Sequence, residues 1–171
     1  MIAYDLSKIK VIVFDIDGVL SGSTVEMSSE GGLKRTTNLK DVYAIQHAQR
    51  SGLEIAILSG ARDAYVRPLF EHLGLRYIYV NAHYKLPCLE DLMQKTGCRA
   101  DEIAYMGDEM TDYEVLQRVG LGCCPADAAG DIRSVATYVS PIAGGAGCAR
   151  DLIEQVMKAQ GTWMNRESFI W

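Results

Sequence analysis

The stretch VIVFDIDGVL (residues 11–20) runs from four apolar residues into Asp15-Ile16-Asp17-Gly18. Three later apolar runs also end on polar residues. IAIL (55–58) meets Ser59 and Gly60, YIYV (77–80) leads through a short link to Lys85, and EIAYM (102–106) meets Gly107, Asp108 and Glu109, with Asp112 one turn further on. Carboxylates, a hydroxyl, an ammonium and carboxylates again form a set suited to phosphoryl transfer. Asp15 can attack phosphorus to give an aspartyl phosphate, which splits one hard displacement into two easier ones. Asp17, two residues on, can protonate the leaving oxygen and then activate the hydrolytic water. Carboxylates this dense repel one another and a phosphate, so a divalent cation is needed. Mg²⁺ fits, since it favours octahedral oxygen ligation by one or two carboxylates, waters and a phosphate oxygen. Asp15, the backbone carbonyl of Asp17, and Asp108 are the candidate ligands, with Glu109 and Asp112 in support. Ser59 with Gly60, and Lys85, would hold the transferring oxygens, whose charge must be stabilised in a loose transition state. Singly these signals are weak, because a D-x-D-G is more often a turn or a helix cap. Their order along four strand ends carries the reading.

That order has meaning only if the apolar runs are strands of one sheet. Between them, segments 41–52, 62–74, 86–97 and 111–120 read as helices, stopping at Gly52, Gly74, Gly97 and Gly120, where a glycine ends a helix. Pro68 should kink its helix or restart it. A last strand near 136–140 and a last helix near 149–160 complete an alternation that predicts an α/β fold, a doubly wound, mostly parallel sheet covered on both faces. Ligands of such sheets bind beyond the carboxyl ends of the strands. One domain over residues 1–171 is expected. Residues 21–40 break the rhythm with two β-prone pieces, STVEM and LKRTT, around SSEGG. This reads as a β-hairpin insertion, which is marginal alone and must lie against its own chain or a neighbouring subunit. The loop with Gly144, Gly145 and Gly147 is either an anion cradle or a tight turn into a helix. The apolar tail GTWMNRESFIW (161–171) is expected to dock against a subunit or over a site mouth.

A net charge of −5 with no Lys/Arg block excludes a nucleic-acid partner, which needs a basic face. MIAYDLSKIK contains no long apolar run, so neither a signal peptide nor a membrane span is expected, and the location read from this is cytoplasmic. The five cysteines (88, 98, 123, 124 and 148) form no C-x-x-C pair. They read as buried, reduced thiols rather than a disulfide framework or a zinc site. His47, His72 and His83 show no ligand spacing.

The ordered set resembles the haloacid dehalogenase superfamily of phosphatases over residues 10–140. The closer similarity is to its short, capless branch that hydrolyses 3-deoxy-D-manno-octulosonate 8-phosphate in lipopolysaccharide precursor synthesis. FDIDGVLS, NLKDVYAIQ, ILSG, YKL, IAYMGDEMTD and IAGGAG all look like that branch, in order and spacing. The resemblance implies a Rossmann-like fold with a small hairpin and no large cap domain. It implies Mg²⁺ as cofactor, Asp15 as nucleophile, Asp17 as acid and base, Ser59 and Lys85 on the phosphate, and Asp108 on the metal. It also implies a homotetramer in which one subunit's hairpin caps a neighbour's site, a small anionic sugar phosphate as substrate, and substrate-reading positions at Arg62 and Asp41. The chain departs from the branch at several places. Ala61 separates Ser59-Gly60 from Arg62, where relatives often have arginine directly after the glycine. Asp41-Val42-Tyr43-Ala44 stands for a D-G-Y-G stretch, Glu109 for a second Asp, and Ala146 for an arginine. The chemical set is intact while the sugar-reading residues differ, so a related nine-carbon keto-sugar-acid phosphate is an alternative substrate. A tetramerising domain that has lost catalysis is the alternative from another class. A response-regulator-like acceptor domain fits less well, because Ser59 stands at the second strand end.

Overall fold

The structure, a computed structural model, describes residues 2–27, 33–62 and 66–170. In chain order its elements are β1 (Val11–Phe14), β2 (Glu26–Met27), β3 (Leu33–Lys34), α1 (Leu39–Arg50), β4 (Glu54–Leu58), α2 (Val66–His72) and β5 (Tyr77–Tyr79). There follow α3 (Lys85–Thr96), β6 (Ile103–Met106), α4 (Tyr113–Arg118), β7 (Leu121–Cys124), α5 (Gly130–Val135), β8 (Tyr138–Val139) and α6 (Cys148–Ala159). Six strands form one parallel sheet in the order β5-β4-β1-β6-β7-β8, and β2 pairs with β3 as a separate antiparallel hairpin. This is the doubly wound α/β architecture that the alternation predicts.

The side-chain period of two divides each strand between two cores. Ile12, Phe14, Ile55, Ile57, Met106 and Cys123 face α1 and α6, with Ile45, Leu152 and Val156 buried against them. Val13, Ala56, Leu58, Ile103, Tyr105 and Cys124 face the opposite way, toward Leu89, Leu92, Val115 and Ile132. Adjacent Cys123 and Cys124 therefore do lie on opposite faces; all five thiols are free, but only these two and Cys148 are buried, Cys88 and Cys98 being partly exposed on and just after α3.

Several expectations meet a different structure. LGCC is a strand and 130–135 a short helix, neither of which the sequence patterns revealed. The fourth helix ends at Arg118, and Gly120 serves a close approach instead: a Cβ there would lie 2.7 Å from the Asp101 backbone. Pro68 falls in the first turn of α2, where a missing N–H costs little. The tips of the predicted hairpin (28–32) and the start of the predicted second helix (63–65) lie outside the described residues. So does Trp171. The tail lies along α1 of its own chain rather than over the site mouth. His47 shares a hydrogen bond with the Trp163 carbonyl (2.9 Å), Tyr43 donates to the Ser168 carbonyl (2.6 Å), and Arg50 donates to the Ile170 carbonyl (2.8 Å). Polar side chains on α1 satisfy these tail carbonyls, which is why an apolar end can lie down there. Among the described residues no helix is long and apolar enough to cross a membrane.

Candidate active site

β1 lies between β4 and β6, and Phe14 is in register with both Ile57 and Met106. The chain steps from β1 to β4 on one side and later reaches β6 on the other, so the carboxyl end of β1 is the switch point of the sheet. Asp15 leaves the sheet there, its N–H still donating to the Met106 carbonyl at 3.0 Å. Three residues on, Gly18 has a φ of 82°, left-handed backbone that disfavours a side chain. A Cβ at Gly18 would also stand 1.9 Å from a carboxylate oxygen of Asp108. Glycine is thus what lets Asp108 close down on the loop after β1.

The glycine loop before α6 presses on the same turn from the other side. Its N–H groups are engaged within the protein: Gly144 donates to Asp127 Oδ1 (2.8 Å), Gly145 to the Val19 carbonyl (2.8 Å) and Ala146 to the Ala143 carbonyl (3.1 Å). Of the two readings of this loop, the structure has the tight turn.

Lys85, the first residue of α3, is buried with its side chain only 3% exposed. Its Nζ donates to Asp15 Oδ2 and Asp112 Oδ1, each at 2.5 Å, with the Tyr105 hydroxyl at 3.4 Å. Asp112 is fully enclosed and acts as the hub. Its Oδ1 also accepts from the Tyr105 hydroxyl, and its Oδ2 accepts the N–H groups of Asp108 (3.0 Å) and Glu109 (3.1 Å). Asp15 Oδ1 accepts the Ile16 N–H at 2.6 Å. Buried Ser59 accepts the Ala61 N–H at 3.3 Å. Asp17 is held separately: Arg35, from the end of the hairpin, forks onto it with Nε–Oδ1 at 2.6 Å and Nη2–Oδ2 at 2.9 Å.

One cavity of about 340 Å³ has Asp15, Asp17, Gly18, Ser59, Gly60, Lys85, Asp108 and Glu109 in its walls. Arg62 and Asp41 are not among them. Arg62 is exposed, its Nη2 lying 3.1 and 3.2 Å from the two ring nitrogens of His83. Asp41 is buried on α1, where Oδ1 accepts the Arg150 N–H (2.7 Å) at the start of α6. Two residues at the site escaped the sequence patterns, Tyr105 and Arg35. Tyr105 sits within an apolar strand run, and its hydroxyl one residue before the strand's end was the available signal. Arg35 is one of two basic residues in the β-prone LKRTT, and nothing local marks it.

The site is short of positive charge. Carboxylate oxygens of Asp15, Asp108 and Asp112 come within 4.8 Å of one another, with Lys85 as the ammonium between two of them. Burial and the carboxylates of Asp112 and Asp15 push Asp108 up to about 7. Burial likewise raises Asp15, with Lys85 pulling the other way and Asp112 adding to the rise. Burial works against the Lys85 charge, but Asp15 and Asp112 outweigh it and hold the ammonium above its usual range. Three carboxylates against one ammonium leave two uncompensated charges, and the donors are all oxygens. That set fits a hard divalent cation.

Residues 77–150 match a family model for haloacid dehalogenase-like hydrolases. The chain is 34% identical over 153 residues to the 3-deoxy-D-manno-octulosonate 8-phosphate phosphatase KdsC of Escherichia coli K12, covering 90% of this chain and 81% of that protein. Among solved structures it is similar to the same-named phosphatase of Moraxella catarrhalis, in complex with magnesium ion, phosphate ion and KDO. That likeness has a TM-score of 0.87 at 29% identity over 92% of this chain and 90% of that one. The cobalt-bound deoxy-D-mannose-octulosonate 8-phosphate phosphatase of Haemophilus influenzae gives a TM-score of 0.90 at 25% identity, covering 98% and 99%.

Proposed function

The chain belongs to the haloacid dehalogenase-like hydrolases as a phosphoric monoester hydrolase, and we propose that it is a Mg²⁺-dependent phosphatase of 3-deoxy-D-manno-octulosonate 8-phosphate that works through an aspartyl phosphate on Asp15. The carrying observation is the arrangement at the end of β1. Asp15 is buried and fixed by Lys85 and by the Ile16 N–H, and it opens on a cavity that also holds Asp17, Ser59 and Asp108.

A carboxylate oxygen of Asp15 forms the bond to phosphorus as the ester oxygen leaves, and Asp17 gives that oxygen its proton. In the second step Asp17 takes a proton from water, the water oxygen bonds to phosphorus, and the Asp15–phosphorus bond breaks. Lys85 and Ser59, both buried, bind the non-bridging oxygens and stabilise their charge. Asp15, Asp108 and the backbone carbonyl of Asp17 would hold Mg²⁺, which when bound neutralises the phosphoryl charge. Both oxygens of Asp112 are already engaged, so it orients Lys85 and the 108–109 backbone instead. In this reading the substrate is a small anionic sugar phosphate met in the cytoplasm. The protein is a homotetramer in which the hairpin covers a neighbour's site, and one domain spans residues 1–171.

The displaced Arg62, engaged with His83 outside the cavity, favours a second substrate, a nine-carbon keto-sugar-acid phosphate. The test is phosphate release from both compounds and a panel of other sugar phosphates, with Mg²⁺, with chelator, and with Asp15→Asn. Metal-dependent release from the octulosonate phosphate, lost in the variant, is the expected result. Release from another sugar alone would replace the substrate, and no release by a folded protein would leave an assembly domain without catalysis.

A further inference from the structure

Asp17 does not meet the cavity as a free carboxylate. The Arg35 fork occupies both of its oxygens (2.6 and 2.9 Å). Bidentate pairing of this kind fixes a carboxylate's orientation and occupies both its oxygens, whereas the first chemical step asks Asp17 to reach the leaving oxygen. Something must draw the guanidinium away. The pair also forms a partition between two spaces. Asp17 lines the carboxylate-walled cavity, while Arg35 lines a neighbouring, mostly apolar groove of about 230 Å³ with Ser21, Leu33, Thr36, Thr37 and Phe70. A ligand whose phosphate sits by Asp15 and whose body enters this groove brings its own groups to Arg35.

We propose that Arg35 is a positioning residue shared between Asp17 and the carboxylate of an acidic sugar substrate: the substrate carboxylate takes the guanidinium fork, and Asp17 is thereby released to the leaving oxygen. The inference rests on the sugar-acid reading of the substrate. One carboxylate replaces another on the same fork, so the exchange conserves charge pairing. A neutral sugar phosphate offers the partly buried guanidinium, whose side chain is 14% exposed, no carboxylate in exchange and leaves Asp17 clasped. Arg35 thus discriminates by penalising the wrong ligand.

The test measures binding by calorimetry, in Mg²⁺, of two probes: free 3-deoxy-D-manno-octulosonate and its methyl ester, which lacks the charge. Asp17→Asn removes the competing carboxylate and should tighten the acid by about 5-fold or more, and Arg35→Gln should weaken it by about 10-fold. Arg35→Lys, a point charge without the fork, should fall between. The ester should be indifferent to all three changes and so reports any loss of fold. In the double variant Asp17→Asn/Arg35→Gln the gain from Asp17→Asn should vanish. A tightening cannot come from misfolding. The proposal is overturned if acid and ester respond alike, if Asp17→Asn fails to tighten the acid, or if the wild-type protein binds neither. Phosphate release by the same preparations separates the two readings. The binding pattern without turnover keeps the role of Arg35 and removes the reaction, and turnover without the pattern does the reverse.

Discussion

Asp108 shows at the residue scale what crowding of like charges does. Its carboxyl is raised from the ordinary value to about 7, so the folded protein binds that proton more tightly than the unfolded chain. A raised carboxyl penalises the fold as pH climbs from the unfolded value near 4 to about 7, and the penalty is absent below 4. In chelator at pH 8, Asp108→Asn should therefore be more stable than wild type. Solvent screening limits the gain to on the order of 1–2 kcal/mol, and it should shrink toward zero at pH 4. Adding Mg²⁺ should reverse the order, because wild type gains RT ln(1 + [Mg²⁺]/Kd) and the variant loses a ligand. Urea midpoints with and without metal at the two pH values check all of this, and an unchanged order in Mg²⁺ would remove Asp108 from the metal site. Lys85→Met acts in the opposite sense. It leaves Asp15 and Asp112 buried without their ammonium, which should cost about 3–5 kcal/mol in the same assay. Asp15, Asp17, Lys85 and Asp108 were legible because strand ends announce themselves as breaks in apolar runs. Arg35 and Tyr105 were not, since pairing across 18 and 7 residues respectively follows from the folded path and leaves no local period.

At the scale of elements, α1 and α6 are joined through a buried acid. Asp41 on α1 accepts the Arg150 N–H, while its Oδ2 is buried with no hydrogen-bond partner among the described residues. Burial raises its pKa to about 6. By the same sign rule, this joint weakens the fold as pH rises from about 4 to 6. Asp41→Asn keeps an acceptor for the Arg150 N–H and cannot ionise. Its stability relative to wild type should rise by on the order of 2–3 kcal/mol between pH 4 and pH 7, read from denaturant curves at each pH. A difference that stays flat across that interval would show that Asp41 is solvated in the folded protein. The sequence resemblance placed Asp41 among the substrate readers, and a helix position alone could not distinguish the face toward α6 from the face toward the cavity. Most elements were legible, because Val, Ile and Leu runs alternate with helical stretches ending at glycine. β7 was not: Leu121-Gly122-Cys123-Cys124 carries a glycine and no β-branched residue, so strand preference is weak and pairing with β6 and β8 decides it. The short α5 has no full turn of apolar periodicity to show.

At the scale of the molecule, the hairpin needs something beyond its own strands. β2 and β3 have two residues each, Met27 is 83% exposed and Leu33 44%, and a ribbon this short does not hold itself in water. At its base, next to Arg35, it carries the Lys34–Glu26 ion pair at 3.1 Å, largely in solvent, which contributes little. Its near end is tied to the site through Arg35 and Asp17. A second copy laid on Met27 and Leu33 would supply the missing burial, order the ribbon and steady the arginine fork, which is why assembly and catalysis are coupled in the proposed homotetramer. Light scattering behind a sizing column should give a four-chain mass at micromolar concentration, against 18.8 kDa for one chain. Met27→Glu combined with Leu33→Glu should shift the mass down and lower phosphate release. Far-UV circular dichroism should stay unchanged, because both side chains lie outside the two cores. A wild-type monomer with full activity would sink the coupling. A variant that remains a tetramer would show that another surface makes the contacts and that the hairpin is held by its own chain.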